Sequence, residues 1–332
     1  MRLCYWSASI LVVAAVFLTG CRETIDPNEP QGFVQTKGSD TIVNAMQETA
    51  EEFMKVYPHV FVAVTGGGSG VGIASLINKT TDIATASREM KGKEIEMAEK
   101  RGVHPKEFVI AYDGVAVIVN LNNPIDRLSI QDLHDIFTGK ITNWSALGGR
   151  DLPMVTLSRE VSSGTHMYFK EEVVQLGKKG STEEFSKETL LLTSSQAIVE
   201  EVANNEGAIG YLGMGYLSDR TKAVLVGRVA DEPGEKTGGV EREKGSIEGE
   251  KTVRPSDRLN LSPSSSDGFY PPTLENVVNK TYPLSRPLFL YTDGEPQGVV
   301  KLLVDFTLGP AGQTKFMETG FVPVGETVVR KQ

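Results

Sequence analysis

The residues best suited to chemistry lie in the stretch 157–169, where Arg159 stands four positions before the triplet Ser163, Gly164 and Thr165. A helix-like segment, 165–176, follows this triplet. The first N–H groups of a helix lack partners within the helix, and the helix dipole favours an anion beside them. The guanidinium of Arg159 adds a fork of donors that fits a tetrahedral oxyanion. The stretch therefore predicts one half of an anion-binding site.

Two earlier segments also place glycine or hydroxyl residues where a helix is predicted to start. Residues 37–41 include Ser39 and Asp40, both good N-caps, so a plain helix cap explains them equally well. Residues 66–72 are mostly glycine. Glycines let backbone N–H groups converge on a ligand, although a flexible turn is the ordinary alternative. This segment lacks the Lys-Ser/Thr ending of a Walker A loop and the spacing of a dinucleotide-binding loop.

Further polar groups adjoin two predicted strands. Ser87 and Arg88 follow the apolar run 83–86, and Asp113 precedes the apolar run 114–120. A surface ion pair would explain Arg88, and a turn would explain Asp113. Together with the helix starts, these residues are typical of a site that holds a dehydrated oxyanion with mostly neutral donors.

The alternation of short apolar runs with helical patterns predicts an α/β protein whose folded part starts near Phe33. Predicted strands cover 60–65, 83–86, 114–120, 207–211 and 282–291, and predicted helices cover 41–56, 70–78, 130–137, 165–176 and 299–308. The stretch 228–268 is rich in Gly, Glu, Lys, Ser and Pro, which predicts a solvent-exposed excursion.

The N-terminus has the features of a lipoprotein signal. An apolar run, 10–18, is too short to span a membrane and ends in small residues before Cys21. We expect a signal peptide over 1–20, lipidation of Cys21 and a flexible tether over 21–32. Cys4 would leave with the signal, so no disulfide is expected. The formal net charge of −9, without a Lys/Arg-rich block, argues against nucleic acid as a partner.

The chain resembles the extracytoplasmic phosphate-binding proteins of the bacterial high-affinity phosphate ABC importer. The resemblance runs from about Gly38 to Pro323, apart from the excursion. It is carried by Gly38-Ser39-Asp40-Thr41, Gly68-Ser69-Gly70, Ser87-Arg88, Asp113-Gly114-Val115-Ala116-Val117, Ile136-Phe137-Thr138-Gly139-Lys140-Ile141-Thr142-Asn143-Trp144, Arg159 to Thr165 and Tyr282-Pro283-Leu284-Ser285-Arg286-Pro287. Two positions depart from the longer members' pattern: Ser162 stands where glycine is usual, and Arg88 stands where they carry an aspartate. The short subgroup commonly has Ser-Arg at the second position.

The resemblance implies a two-lobed fold of the periplasmic-binding-protein type II, with a ligand cleft between the lobes and a two-strand hinge. Lobe I would hold 33–113 and 284–332, and lobe II would hold 114–283. The implied phosphate-binding residues are Ser39, Thr41, Ile42, Ser69, Ser87, Arg88, Asp113, Arg159, Ser163, Gly164 and Thr165. The implied partners are phosphate, the permease subunits of the importer and the membrane, through Cys21. A monomer without a cofactor or metal is expected.

Selectivity for phosphate over sulfate has a physical basis. Phosphate near neutral pH keeps a proton that a buried carboxylate can accept, whereas sulfate would bring only acceptors and like charge against it. We hypothesise that Asp113 reads this proton, since Asp40 is expected to be an N-cap.

Three alternatives stay open. A phosphatase would need a nucleophile with a base or a metal cluster, yet none of the four histidines pairs at a metal-ligand spacing, and no Gly-x-Ser-x-Gly elbow occurs. A binding protein for another oxyanion and a lipid-anchored sensor would both use the same site.

Overall fold

The computed structural model describes residues 29–228 and 268–325. The predicted signal peptide, Cys21, most of the tether and the body of the excursion lie outside the described residues. Within these two ranges, no helix has the length and apolar character that a membrane span requires.

The elements alternate along the chain as an α/β pattern requires. The strands are β1 (Gly32–Gly38), β2 (Val60–Thr65), β3 (Ile83–Ala86), β4 (Pro105–Val119), β5 (Arg127–Ser129), β6 (Val155–Arg159), β7 (Leu190–Leu192), β8 (Ala208–Gly213), β9 (Lys222–Ala223), β10 (Leu225–Gly227), β11 (Phe269–Tyr270), β12 (Ser285–Asp293) and β13 (Val322–Pro323). The helices are α1 (Val43–Val56), α2 (Ser69–Ile77), α3 (Gly92–Lys100), α4 (Ile130–Phe137), α5 (Gly164–Phe169), α6 (Ser195–Asn204), α7 (Leu274–Val278), α8 (Gly298–Leu308) and α9 (Pro310–Glu318).

The principal sheet runs in the order β2-β1-β3-β12-β4-β8-β6-β7. Strand β1 pairs in parallel with both β2 and β3, and β6 pairs in parallel with both β7 and β8. Between these two parallel groups, β12 and β4 pair antiparallel with each other. A parallel strand needs a helical crossover to its neighbour, so each parallel group carries its own helices and forms its own α/β layer.

The buried apolar residues fall into separate groups on the two sides of β4 and β12. One group includes Val34, Phe53 and Phe316, and another includes Phe137 and Phe169. Strand β4 joins the two sides, because it pairs with β12 up to Gly114 and with β8 from Val115 onward. The molecule is thus a two-lobed α/β protein in which β4 and β12 form the connection, as the resemblance implied.

Several element bounds differ from the prediction for local reasons. Helix α1 begins at Val43 instead of residue 41, because residues 39–42 turn the chain out of β1. The helix predicted over 165–176 is the short α5 followed by a π-turn, Lys170–Val174, and the left-handed Leu176 (φ 52°) ends it. The strand predicted over 114–120 is the second half of β4, whose first half carries charged residues that mask its strand pattern.

Candidate anion-binding site

The predicted residues of lobe I lie where parallel strands end. Strands β1 and β3 lead to Ser39 and Ser87, and β2 leads through the glycines 66–68 to Ser69, the first residue of α2. Because β1, β2 and β3 are parallel neighbours, their carboxyl ends open on one edge of the sheet. Ligand crevices of open α/β sheets lie at this edge.

The predicted residues of lobe II follow β6. Arg159 is the last residue of β6, and Ser163 is the N-cap of α5, with its hydroxyl accepting from the His166 N–H at 3.4 Å. Gly164 and Thr165 form the first turn of α5. The Oγ1 of Thr165 lies 2.8 Å from that of Thr41, so the first turn of this helix faces lobe I.

Four hydroxyl groups from the two lobes meet in what we call the hydroxyl cluster: Thr41, Ser69, Ser87 and Thr165. The oxygens of Thr41 and Thr165 lie 2.8 Å apart across the lobes, and those of Ser69 and Ser87 lie 3.3 Å apart. All four residues are buried, with at most 2% of their surface exposed. Gly164 packs against this cluster so closely that an added Cβ would lie 2.5 Å from the Ser87 hydroxyl oxygen and closer still to that of Ser69.

An ion pair also crosses between the lobes. The Nη2 of Arg159 donates to Asp40 Oδ2 at 2.7 Å and to the Thr193 carbonyl at 2.9 Å, and its Nη1 donates to Ser195 Oγ at 2.9 Å. Arg159 is 1% exposed, and its Nε has no hydrogen-bond partner among the described residues. A buried guanidinium N–H without a partner is costly, so it is a candidate donor for a ligand oxygen.

The prediction that Asp40 caps helix α1 is wrong. The N-cap is Ile42, and no side chain caps this helix. The carboxylate of Asp40 accepts instead from the Gly67 N–H at 2.9 Å and from Arg159. Two charge-assisted or amide hydrogen bonds to distant segments outweigh one local cap bond.

Arg286, to which no role was assigned from the sequence, lies at the centre of the site. Its Nη2 donates to Asp113 Oδ2 at 2.8 Å, to Thr165 Oγ1 at 2.9 Å and, more weakly, to Thr41 Oγ1 at 3.4 Å. Its Nε also reaches Asp113 Oδ2, at 3.1 Å, and its Nη1 donates to the Ser87 carbonyl at 3.0 Å. The only signal in the sequence was the Ser-Arg-Pro segment within the resemblance.

Asp113 is fully buried, and most of the acceptor positions of its carboxylate are occupied. Its Oδ2 accepts the two bonds from Arg286, and its Oδ1 accepts from the Met214 N–H at 3.0 Å. Burial raises the pKa of the Asp113 carboxyl, and the charge and hydrogen bonds of Arg286 oppose that rise. About one of the four acceptor positions of an ionised carboxylate remains for any other donor.

Arg88 is paired with Glu94, while its Nε, like that of Arg159, is buried without a hydrogen-bond partner among the described residues. Its guanidinium makes two 2.8 Å hydrogen bonds to the carboxylate of Glu94 on α3, and Nη1 also donates to the Glu89 carbonyl. Burial would raise the pKa of Glu94, but the hydrogen bonds from Arg88 and from the Lys91 N–H outweigh it and lower the pKa. Arg88 and Arg286 both line a cavity of about 320 Å³, so Arg88 stands beside the site while its charge is neutralised.

His166 is a buried neutral group beside the site. Its Nδ1 lies 2.9 Å from Ser158 Oγ, and that hydroxyl lies 2.5 Å from the Tyr211 hydroxyl. Burial lowers the pKa of His166 to about 4, and the nearby charge of Lys170 adds to this. At neutral pH the imidazole therefore adds no charge to the site.

Comparison with known proteins identifies the fold family. The PBP superfamily domain matches residues 25–312. The chain belongs to the PBP superfamily. A solved PBP structure, a putative phosphate ABC transporter substrate-binding protein with bound phosphate from Clostridium perfringens, is 32% identical, with a TM-score of 0.69. The match covers 89% of this chain and 100% of that one.

Curated relatives point the same way. The phosphate-binding protein PstS of Pseudomonas aeruginosa is 26% identical over 350 residues, which cover 98% of this chain and 96% of the relative. The PstS of Bacillus subtilis is 27% identical over 337 residues, which cover 98% of this chain and 94% of the relative. These two relatives are thus phosphate-binding proteins by name, as is the substrate-binding protein from Clostridium perfringens.

The charged groups around the PBP cleft pair to neutrality. Asp40 balances Arg159, and Asp113 balances Arg286. Over 29–228 and 268–325, no group of three or more His, Cys, Asp or Glu is placed to hold a metal ion. The hydroxyl cluster lies beside these two ion pairs, and its hydroxyl groups suit a small anion held by neutral donors.

Proposed function

We propose that this chain binds inorganic phosphate outside the cytoplasmic membrane and delivers it to an ABC permease for import. The observation that carries the proposal is the meeting of the hydroxyl cluster with the buried, paired guanidinium groups of Arg159 and Arg286 where the two lobes touch. The phosphate-bound relative from Clostridium perfringens supports phosphate as the anion.

We assign the ligand contacts to the predicted residues that surround this cluster. The proposed phosphate-binding set is Ser39, Thr41, Ile42, Ser69, Ser87, Arg159, Ser163, Gly164 and Thr165, with Arg88 at its edge and Asp113 bonded to Arg286 beside it. Hydrogen bonds to a charged group contribute about 1.5–3 kcal/mol each, and micromolar affinity needs about 8 kcal/mol after association costs. Several convergent donors can therefore supply the affinity, whereas one arginine cannot.

A panel of anions tests the proposal directly. Thermal unfolding of the protein is measured with phosphate, sulfate, molybdate and chloride at equal ionic strength, and calorimetry follows for each anion that stabilises it. We expect phosphate alone to raise the melting temperature strongly, since a ligand that binds only the native state stabilises it. Equal stabilisation by sulfate would refute phosphate selectivity.

We propose further that the chain is not a phosphatase. Ser158 and His166 form a side-chain contact of the kind that a serine nucleophile and its base would make. Ser158 is 0% exposed, however, and its hydroxyl is also bonded to Tyr211, so a substrate has no access to it. Incubation with a chromogenic phosphate ester should give no turnover above buffer, and measurable turnover would overturn this assignment.

The anchoring assignment rests on the sequence pattern at Cys21. We propose that this cysteine carries a lipid that holds a monomeric binding protein at the membrane surface. Cys21→Ser should release the protein from the membrane fraction of cells while leaving the phosphate affinity of the purified chain unchanged. Retention of the variant in membranes would contradict the anchor.

A further inference from the structure

Arg286 occupies the point where the two lobes join. It lies in β12 directly opposite Asp113 of β4, in an antiparallel pair of strands. One residue further, β4 leaves β12, and from Val115 it pairs with β8 of lobe II. The side chains of this cross-strand pair are buried, with Arg286 3% and Asp113 0% exposed. Because this ion pair is buried and not solvated, its geometry affects the hydroxyl groups that Arg286 contacts.

The guanidinium touches a hydroxyl from each lobe. It donates to Thr165 of lobe II at 2.9 Å and to Thr41 of lobe I at 3.4 Å, and these two hydroxyl oxygens lie 2.8 Å apart. The ring of Tyr168 covers the guanidinium at 5.4 Å. Its remaining bonds go to Asp113 and to the Ser87 carbonyl. The geometry thus gives Arg286 contacts with the hydroxyl cluster on both sides of the cleft.

The hydrogen bonds from Arg286 determine whether the Thr41 and Thr165 hydroxyls donate to a ligand or accept from it. A hydroxyl has one hydrogen to donate and two lone pairs that accept. Where Arg286 occupies a lone pair on Thr41 and Thr165, a ligand that approaches meets the hydrogens of these groups more readily than their lone pairs. One of the two hydroxyls donates to the other across 2.8 Å, so both become donors to an oxyanion when its oxygens replace that bond.

Asp113 holds the guanidinium in this orientation. Two nitrogens of Arg286 converge on Oδ2 of Asp113, and the Met214 N–H fixes Oδ1. The pair is neutral, so Asp113 cancels the charge of Arg286 while it fixes the direction of the N–H groups. This arrangement leaves Asp113 little capacity to accept a proton from phosphate as well.

We propose that Arg286 is a positioning residue that sets the hydroxyls of Thr41 and Thr165 as donors to the bound anion, and that Asp113 acts through Arg286 rather than on the phosphate proton. This inference rests on the proposed phosphate function and deepens it. It leaves Asp40, each of whose carboxylate oxygens accepts one hydrogen bond, as a carboxylate that can discriminate phosphate from sulfate.

A double-mutant cycle with calorimetry tests the inference. The variants are Arg286→Gln, Asp113→Asn and the double variant, which removes both charges together and so avoids an unpaired buried charge. We expect Arg286→Gln to weaken phosphate binding about 100-fold, consistent with the partial loss of two hydrogen bonds to a charged ligand. The double variant should bind no more weakly than Arg286→Gln, because Asp113 has no independent role. Independent, multiplying losses in the cycle would overturn the inference.

The ratio of phosphate to sulfate affinity separates the two roles of Asp113. If Asp113 positions Arg286, Asp113→Asn weakens both anions by the same factor and the ratio stays within about threefold of the wild type. A collapse of the ratio in this variant would instead make Asp113 the proton reader and refute the proposal. If the wild-type protein does not bind phosphate, the proposed function itself fails. If the wild type binds phosphate and Arg286→Gln binds it equally well, the proposed function stands and this inference alone fails.

Discussion

Replacing Gly164 with alanine tests whether the two lobes must come together as closely as the structure shows. The three heavy atoms nearest to an added Cβ all belong to Ser69 and Ser87 of lobe I, and the Ser87 hydroxyl oxygen would lie at 2.5 Å. Real Cβ contacts do not come so close, so either α5 retreats by roughly half an ångström or the Ser69 and Ser87 hydroxyls turn away, and both movements disturb the hydroxyl cluster. The backbone of Gly164 has no positive φ, so its conformation is one that alanine adopts readily.

The expected loss of affinity follows from the hydrogen-bond donors that either movement displaces. If two or more hydrogen bonds to the anion are lost at about 1.5–3 kcal/mol each, phosphate affinity falls by at least about 100-fold. The melting temperature without phosphate should stay close to that of the wild type, because the clash exists only between the lobes. Calorimetry with phosphate and thermal unfolding without it measure the two quantities.

Gly92→Ala is the matched control. Gly92 begins α3, and an added Cβ there would meet nothing within 4 Å. This variant should bind phosphate normally and gain slightly in stability, because alanine restricts the unfolded chain. Phosphate affinity of Gly164→Ala within about threefold of the wild type would refute the close interlobe packing. An equal loss in Gly92→Ala would refute the interpretation in terms of the cleft.

Two further predictions follow from single residues. Arg159→Ala should nearly abolish phosphate binding, because it removes a buried donor and leaves Asp40 without its cation at the cleft; calorimetry that returns a near-normal dissociation constant would contradict this. The pKa of His166 lies near 4, below its ordinary value of 6.5, so its contribution to stability is complete above about pH 6.5 and is lost as the pH falls towards 4. Between pH 7 and about pH 4.5, the free energy of unfolding, measured with urea, should fall by roughly 2 kcal/mol more in the wild type than in His166→Gln. An equal fall in the two proteins would show that His166 is not the group responsible.

Much of the fold is encoded in local apolar runs, and the departures have local physical causes. The run 130–137 predicts α4 with its observed bounds, because Ser129 and Asp132 form a capping box at its start. Helix α3 was not predicted, since charged residues dominate its sequence and only Ala98 of its nine residues is buried. Patterns of apolar spacing carry no signal for an element whose surface is mostly solvated.

The site is partly predictable because its parts are local while its assembly is not. Glycine and hydroxyl residues at helix starts mark Ser69, Gly164 and Thr165 from sequence alone, but their meeting depends on the order of the strands. Asp40 shows the limit of local reasoning. Its position before a helix predicts a cap, yet Arg159, 119 residues away along the chain, takes its carboxylate.

Arg286 shows why the role of a central residue can escape prediction from local sequence. It lies 173 residues from Asp113, and only the antiparallel register of β12 with β4 brings the two together.

The two ion pairs of the cleft also bear on how a chain with a net charge of −9 can hold an anion. Arg159 and Arg286 are each neutralised by a carboxylate, so the hydroxyl and amide dipoles that these ion pairs keep in place supply much of the attraction. In a buried cleft such fixed dipoles act at low effective dielectric and are weakly screened by salt. A neutral substitution such as Gly164→Ala should then cost affinity on the same scale as the removal of an arginine, because both disturb the same array of oriented donors.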